Sequence, residues 1–112
     1  MPAKVYKYED LPVKVNGPNQ GRVVFDGKTH TGYRVDLHMS VLGAGQVPHP
    51  PHKHLHEEVV MLRSGVLDVM YNGQTIRATA GSVIYMDSNV EHQWRNPGPE
   101  PAEYFALALG RA

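Results

Sequence analysis

Three turn dipeptides, Ser64-Gly65, Asn72-Gly73 and Ala80-Gly81, recur at intervals of about eight residues and leave only short runs between them. Isolated helices shorter than about 12–15 residues are marginal in water, whereas five or six residues is the ordinary length of a β-strand. Asn-Gly is the strongest two-residue hairpin signal, because both turn positions require positive φ. The segment around it therefore reads as antiparallel hairpins.

The intervening runs agree with that reading. Valine occurs 14 times against two isoleucines and eight leucines, and β-branched side chains suit a pleated, half-buried surface. From Tyr33 to Val41 the odd positions are apolar while Arg34, Asp36, His38 and Ser40 are polar, a period of two that marks a strand. Further strands are expected at Arg22–Phe25, Glu58–Arg63, Val66–Tyr71, Gln74–Thr79, Ser82–Met86, His92–Arg95 and Tyr104–Leu109. Residues 1–21, with Pro12, Gly17 and Pro18, read as an arm with one edge strand, and residues 22–112 as the body. Many short, evenly spaced strands predict an all-β sandwich or barrel.

Charge and composition narrow the function. Eleven basic residues balance eleven acidic ones, so the electrostatic term that drives nucleic-acid and anionic-membrane binding is missing, and neither partner is expected. Cysteine is absent, which removes disulfides, thiolate metal sites and cysteine nucleophiles. No apolar run is long enough to span a bilayer, and Met1 to Asp10 carries Lys and Glu where a secretory leader would be apolar, so a cytoplasmic location is expected.

Four of the seven histidines, His49, His52, His54 and His56, fall within eight residues and are followed by Glu57 and Glu58. On extended chain His52, His54 and Glu58 share parity and can converge on one point, and a fourth nitrogen can come from His92 on another strand. Three imidazoles and a carboxylate suit Mn, Fe, Co, Ni, Cu or Zn rather than Ca or Mg. The competing reading is a solvated histidine loop that binds metal adventitiously. Helical zinc motifs fail, because no second His follows His56-Glu57 at the required offset.

The spacing also carries a resemblance. His52-Lys53-His54, three residues, Glu58, six residues, Gly65 resembles the first motif of the cupin family. Gly81, five residues, Asp87-Ser88-Asn89, two residues, His92, three residues, Asn96 is similar to the second. Departures are Gln46 where a Gly opens the first motif, with Gly45 one residue away, and Asp87 and Asn89 where the second has Pro and Gly. None removes a ligand, and Asn tolerates positive φ.

The resemblance implies a small cupin, an antiparallel jelly-roll β-barrel holding one divalent transition metal through His52, His54, Glu58 and His92, and a homodimer paired through an outer sheet face. Val59 and Met61, opposite Glu58 in parity, suit a second buried surface. It further implies metal-dependent action on a small oxygenated organic molecule, with dioxygenase chemistry as the leading reading. Isomerase or lyase chemistry and non-catalytic binding of a sugar or metabolite are the alternatives. A metal-free epimerase using a His and an Asp is disfavoured by the full ligand set.

His56, which shares the ligands' parity, is a candidate catalytic base or substitute ligand, or else only lines the loop, while Glu57 has the opposite parity and is expected in solvent or paired with a Lys or Arg. His38 and Tyr85 are the other candidate catalytic residues, and Trp94, Met86 and Tyr71 candidate pocket residues. Arg34 and His38 contact a substrate only if the polar face of their strand points inward.

Overall fold

The computed structural model describes residues 1–110. Its strands are β1 (Lys14–Asn16), β2 (Asn19–Lys28), β3 (Arg34–Leu42), β4 (Glu57–Ser64), β5 (Val66–Tyr71), β6 (Gln74–Thr79), β7 (Val83–Met86), β8 (His92–Arg95) and β9 (Ala102–Leu109), with a 3₁₀ turn at Tyr8–Asp10. A six-stranded sheet runs β1-β2-β3-β9-β4-β7 and faces a three-stranded sheet β6-β5-β8, with antiparallel pairing throughout the described strands. The chain is thus an all-β jelly-roll barrel. No helix among the described residues is long and apolar enough to cross a membrane.

Turn chemistry accounts for the hairpins. Asn72 and Gly73 take φ of 50° and 72°, the paired positive values of a type I′ turn, and set the β5–β6 register from Tyr71↔Gln74 to Val66↔Thr79. Gly65 has φ 82°, and a Cβ there would lie 2.8 Å from both the Ala102 Cα and the Pro101 carbonyl oxygen. Gly65→Ala is therefore expected to cost more than the roughly 1–2 kcal/mol of a left-handed backbone alone. A urea midpoint equal to that of the parent chain would contradict this.

Alternation then places the core between the sheets. Val60 and Leu62 of β4, Leu67 and Val69 of β5, Trp94 of β8, and Tyr104 and Ala106 of β9 form one buried cluster with Leu42 and Met86. Each fully buried large side chain contributes about 1.5–3 kcal/mol.

The strand with the cleanest alternation is oriented with its polar row inward. Asp36, His38 and Ser40 of β3 face the space between the sheets, while Leu37 and Met39 lie on the outer face with Phe105. The outer row is covered because the N-terminal arm crosses it. Tyr6, Tyr8 and Leu11 close over these residues around a cavity of about 500 Å³. The Met1 amino group donates to the Lys28 carbonyl at 2.9 Å, and the Arg22 guanidinium lies 4.5 Å from the Tyr8 ring centre. An apolar row can thus be buried away from the main core, leaving the polar row to line a cavity.

One strand is much longer than expected. The early strand reaches from Asn19 to Lys28, longer than Arg22–Phe25, and carries a bulge between Val23 and Phe25. The edge strand of the arm, β1, joins the same sheet as the body.

Candidate metal centre

His52, His54, Glu58 and His92 bring one ligand atom each to within 4.8 Å of one another. They reach this point from different elements. Glu58 projects inward from β4, which has Val60 and Leu62 on the same face. His92 opens β8 in the opposite sheet and is wholly buried. His52 and His54 belong to the loop between β3 and β4, not to a strand.

Backbone hydrogen bonds hold that loop in place. The His52 N–H donates to the His92 carbonyl at 3.1 Å and the His92 N–H to the His52 carbonyl at 2.9 Å, an isolated antiparallel bridge between loop and sheet. The Asn89 N–H donates to the His54 carbonyl at 2.7 Å, from a residue whose φ of 61° keeps the left-handed turn the glycine of the motif would make. Asn96 anchors the start of the same loop. Its buried amide donates to the carbonyls of Leu42, Gly43 and Glu100 at 2.9, 3.2 and 2.7 Å.

The tautomers follow from these contacts. Nδ1 of His54 donates to the His56 carbonyl at 2.8 Å, and Nδ1 of His92 donates to the Val90 carbonyl at 2.8 Å. A carbonyl can only accept, so in the neutral ring Nε2 is left with its lone pair facing the cluster. Metal-ligating histidines are oriented in this way. Nε2 of His54 lies 2.7 Å from Glu58 Oε1.

A test of fit is what remains unsatisfied. Nε2 of His52 and Nε2 of His92 are buried and have no hydrogen-bond partner. The latter lies 3.5 Å from Glu58 Oε1 without hydrogen-bond geometry. Two buried, unpartnered ring nitrogens beside a carboxylate are costly unless something positive sits between them, and Zn-type bonds of about 2.0–2.2 Å require donors this close. The donor set fits a divalent transition metal.

Burial lowers the His52 imidazole to about 4, with smaller downward pushes from His49, His92 and His54 and an upward pull from Glu58. The ring is therefore neutral and able to ligate at pH 7. The unfolded ring takes up its proton near 6.5, so between about 6.5 and 4 the unfolded chain binds more protons than the folded one at this position. This contribution to the stability of the metal-free protein is full above pH 6.5 and is lost as pH falls to about 4. Thermal melts of chelator-treated protein over that range should show a steeper loss than melts of His52→Gln. Equal slopes would contradict the assignment.

The remaining candidates divide. His56 is outside the four-donor group and stacks on His54, with ring centres 3.7 Å apart and planes 4° from parallel. His49 backs His52 in the same manner at 3.7 Å and 17°. His38 lines the cavity that opens in front of the cluster, as do His56 and Trp94.

Tyr85 requires correction. It pairs with Val59 on the face of β4 opposite Glu58 and is 59% exposed, so the β7 register places it outside, away from the cluster. Met86 points inward but is core, and Tyr71 borders a separate depression beside Val83. Arg34 pairs with Asp26 at 3.4 Å in an exposed position.

The cavity measures about 470 Å³, within the range of small-molecule sites. Most of its lining residues carry polar or titratable side chains. At one side Trp94 Nε1 donates to the Tyr104 hydroxyl at 3.1 Å, and burial raises the Tyr104 hydroxyl pKa against the opposing effects of its bonds with Trp94 and Ser40. That phenol stays protonated near neutral pH. Asp36, Ser40, His49 and Tyr104 are cavity residues not singled out in the sequence. For Asp36 and Ser40 the signal was present, since they share parity with His38.

Comparison with known proteins agrees with this architecture. An RmlC-like cupin from Shewanella frigidimarina NCIMB 400 has a TM-score of 0.78 at 15% identity, with 97% of this chain and 93% of that chain covered. KdgF from Halomonas sp. gives 0.80 at 15% identity, covering 99% and 96%. A predicted oxalate decarboxylase from Thermotoga maritima gives 0.77 at 19% identity, covering 96% and 100%. Identities this low speak for the fold alone. No curated protein sequence matches the chain. The family model described as the cupin domain matches residues 38–108, the stretch that carries both histidine segments and the strands between and around them. The chain belongs to the cupin family.

Proposed function

We propose that this chain binds one divalent transition metal through His52, His54, Glu58 and His92, and acts on a small oxygenated molecule held in the adjoining cavity. The observation that carries the reading is the pair of buried, partnerless Nε2 atoms on His52 and His92, in a group that also includes His54 and Glu58 and whose donor atoms lie within 4.8 Å of one another. A metal bound there supplies Lewis acidity toward substrate oxygens and, for a redox-active ion, a means of using O2. The four side chains would supply it with four donor atoms. Trp94 and Tyr104 bound the space in front of them, and the Tyr104 hydroxyl, which accepts from Trp94 Nε1, keeps its own O–H.

The first reading of the chemistry is dioxygenase-type oxidation. A second, non-oxidative isomerisation or lysis, is supported by the proton-transfer groups His38, Asp36 and His56 in the same cavity. Elemental analysis of protein purified without a histidine tag tests the metal. Incubation with a panel of hydroxy and keto acids, in air and without O2, then separates the readings. Product formed only in air supports the dioxygenase. Product formed equally without O2 supports the second reading, and acids recovered unchanged indicate binding without turnover.

A further inference from the structure

The cavity beneath the N-terminal arm lies on the opposite side of the large sheet from the metal centre. Arg22 on β2 is in register with Met39 on β3, and Met39 with Phe105 on β9, so the three share the outer face. Met39 and Phe105 floor the cavity, Tyr6 and Leu11 of the arm cover it, and Arg63 of β4 borders it. An adjoining cleft shares Tyr8, Met39, Arg63 and Phe105 with it and is bordered by Arg22 as well. The volume of about 500 Å³ is that of a small-molecule site.

The charges on this face do not balance. Nε of Arg22 is buried and has no hydrogen-bond partner, and its guanidinium rests on the Tyr8 ring. Neither Arg22 nor Arg63 takes part in an ion pair among the described residues. The acid beside them, Glu103, accepts from the Ser64 hydroxyl at 3.1 Å instead. Two guanidinium groups thus stand against one carboxylate in walls that are otherwise aromatic or apolar. A buried, unsatisfied guanidinium N–H is costly, and a planar carboxylate is the acceptor whose geometry matches the fork. Glu103 offsets one of the two positive charges and repels a second acid group, so the complement is a monoanion. The rings of Tyr6, Tyr8 and Phe105 and the thioether of Met39 suit a flat aromatic body.

We propose that this cavity is a second ligand site, for an aromatic monocarboxylic acid whose carboxylate lies between Arg22 and Arg63 and whose ring lies on Met39 and Phe105. The site needs no metal.

Naphthalene-2-carboxylate and its neutral amide, naphthalene-2-carboxamide, test this, because they share a ring system and differ in charge. Each is titrated calorimetrically into the full chain, before and after treatment with a chelator. The carboxylate is expected to bind at least about tenfold more tightly than the amide, with the same Kd after chelation. Arg63→Met, at an exposed position, should bring the carboxylate to the Kd of the amide at unchanged melting temperature. Arg22→Met should do the same, and where it also loosens the arm through Tyr8, Arg63→Met decides. The proposal is overturned if the parent protein binds neither compound or both equally, or if Arg63→Met leaves the difference intact. Loss of carboxylate binding on chelation places the acid at the metal centre and overturns it too. Sedimentation of the parent tests the other occupant. A dimer that Phe105→Lys dissociates, with no carboxylate bound, assigns this face to a second copy of the chain and refutes the ligand site.

Discussion

His92→Ala is expected to abolish metal binding while leaving the barrel folded. Loss of an outer-shell partner of a metal ligand typically costs 10–100-fold in affinity, and loss of one of four donors should exceed that. Folding should survive because the parts of His92 that support the structure are backbone. Its N–H and carbonyl pair with His52, and these bonds do not depend on the side chain. The imidazole is wholly buried, yet its Nε2 has no hydrogen-bond partner, so truncation removes a desolvated nitrogen along with some packing. The clearest measurement is the melting temperature with and without metal. A ligand at 100 times its Kd adds about 2.7 kcal/mol, which for a chain of this size raises Tm by on the order of 10–20 °C. That rise should appear in the parent protein and vanish in His92→Ala. A variant that melts well below the metal-free parent would show a structural role instead, and a preserved metal-dependent rise would remove His92 from the ligand set.

Asn96→Ala should produce the largest loss of stability of any polar substitution outside the cluster, about 3–5 kcal/mol. The side chain is wholly buried and satisfies four backbone groups at once. Its two amide hydrogens serve the carbonyls of Leu42, Gly43 and Glu100, so one of them is shared, and its Oδ1 accepts from the Gly98 N–H at 3.0 Å. Alanine removes the partner of all four groups, and the bonds to Leu42 and Gly43 are buried, at about 1–3 kcal/mol for each group that cannot relax. The Leu42 and Gly43 carbonyls lie where β3 passes into the loop that carries His49, His52 and His54. Metal affinity should therefore fall along with the denaturation midpoint, although Asn96 is not a ligand. A midpoint change below about 1 kcal/mol would refute this role.

The strands Val66–Tyr71, Gln74–Thr79 and His92–Arg95 could be read directly, because their limits are set by adjacent Gly, Asn and Pro residues and by alternation along a few residues. The four-donor group was legible for a related reason. His52, His54 and Glu58 lie close in sequence, and the cupin spacing pointed to His92. Parity on an extended chain was an imperfect guide to it, since His52 and His54 occupy an irregular loop whose convergence comes from the bridge to His92.

What the chain alone determined, then, was the local chemistry: turns that demand positive φ, runs that alternate, and a set of nitrogen and oxygen donors at short separation. Only the tertiary structure decided which face each strand presents. The polar row of β3 points inward because the arm covers the apolar row, Tyr85 lies outside because β7 pairs in register with Val59, and Asp36 stands across Ala108 from Glu58 because β9 inserts between β3 and β4. Alternation divides a strand into two faces but says nothing of what each will meet. Facing and register are set by pairings between residues distant in sequence, where no local preference operates.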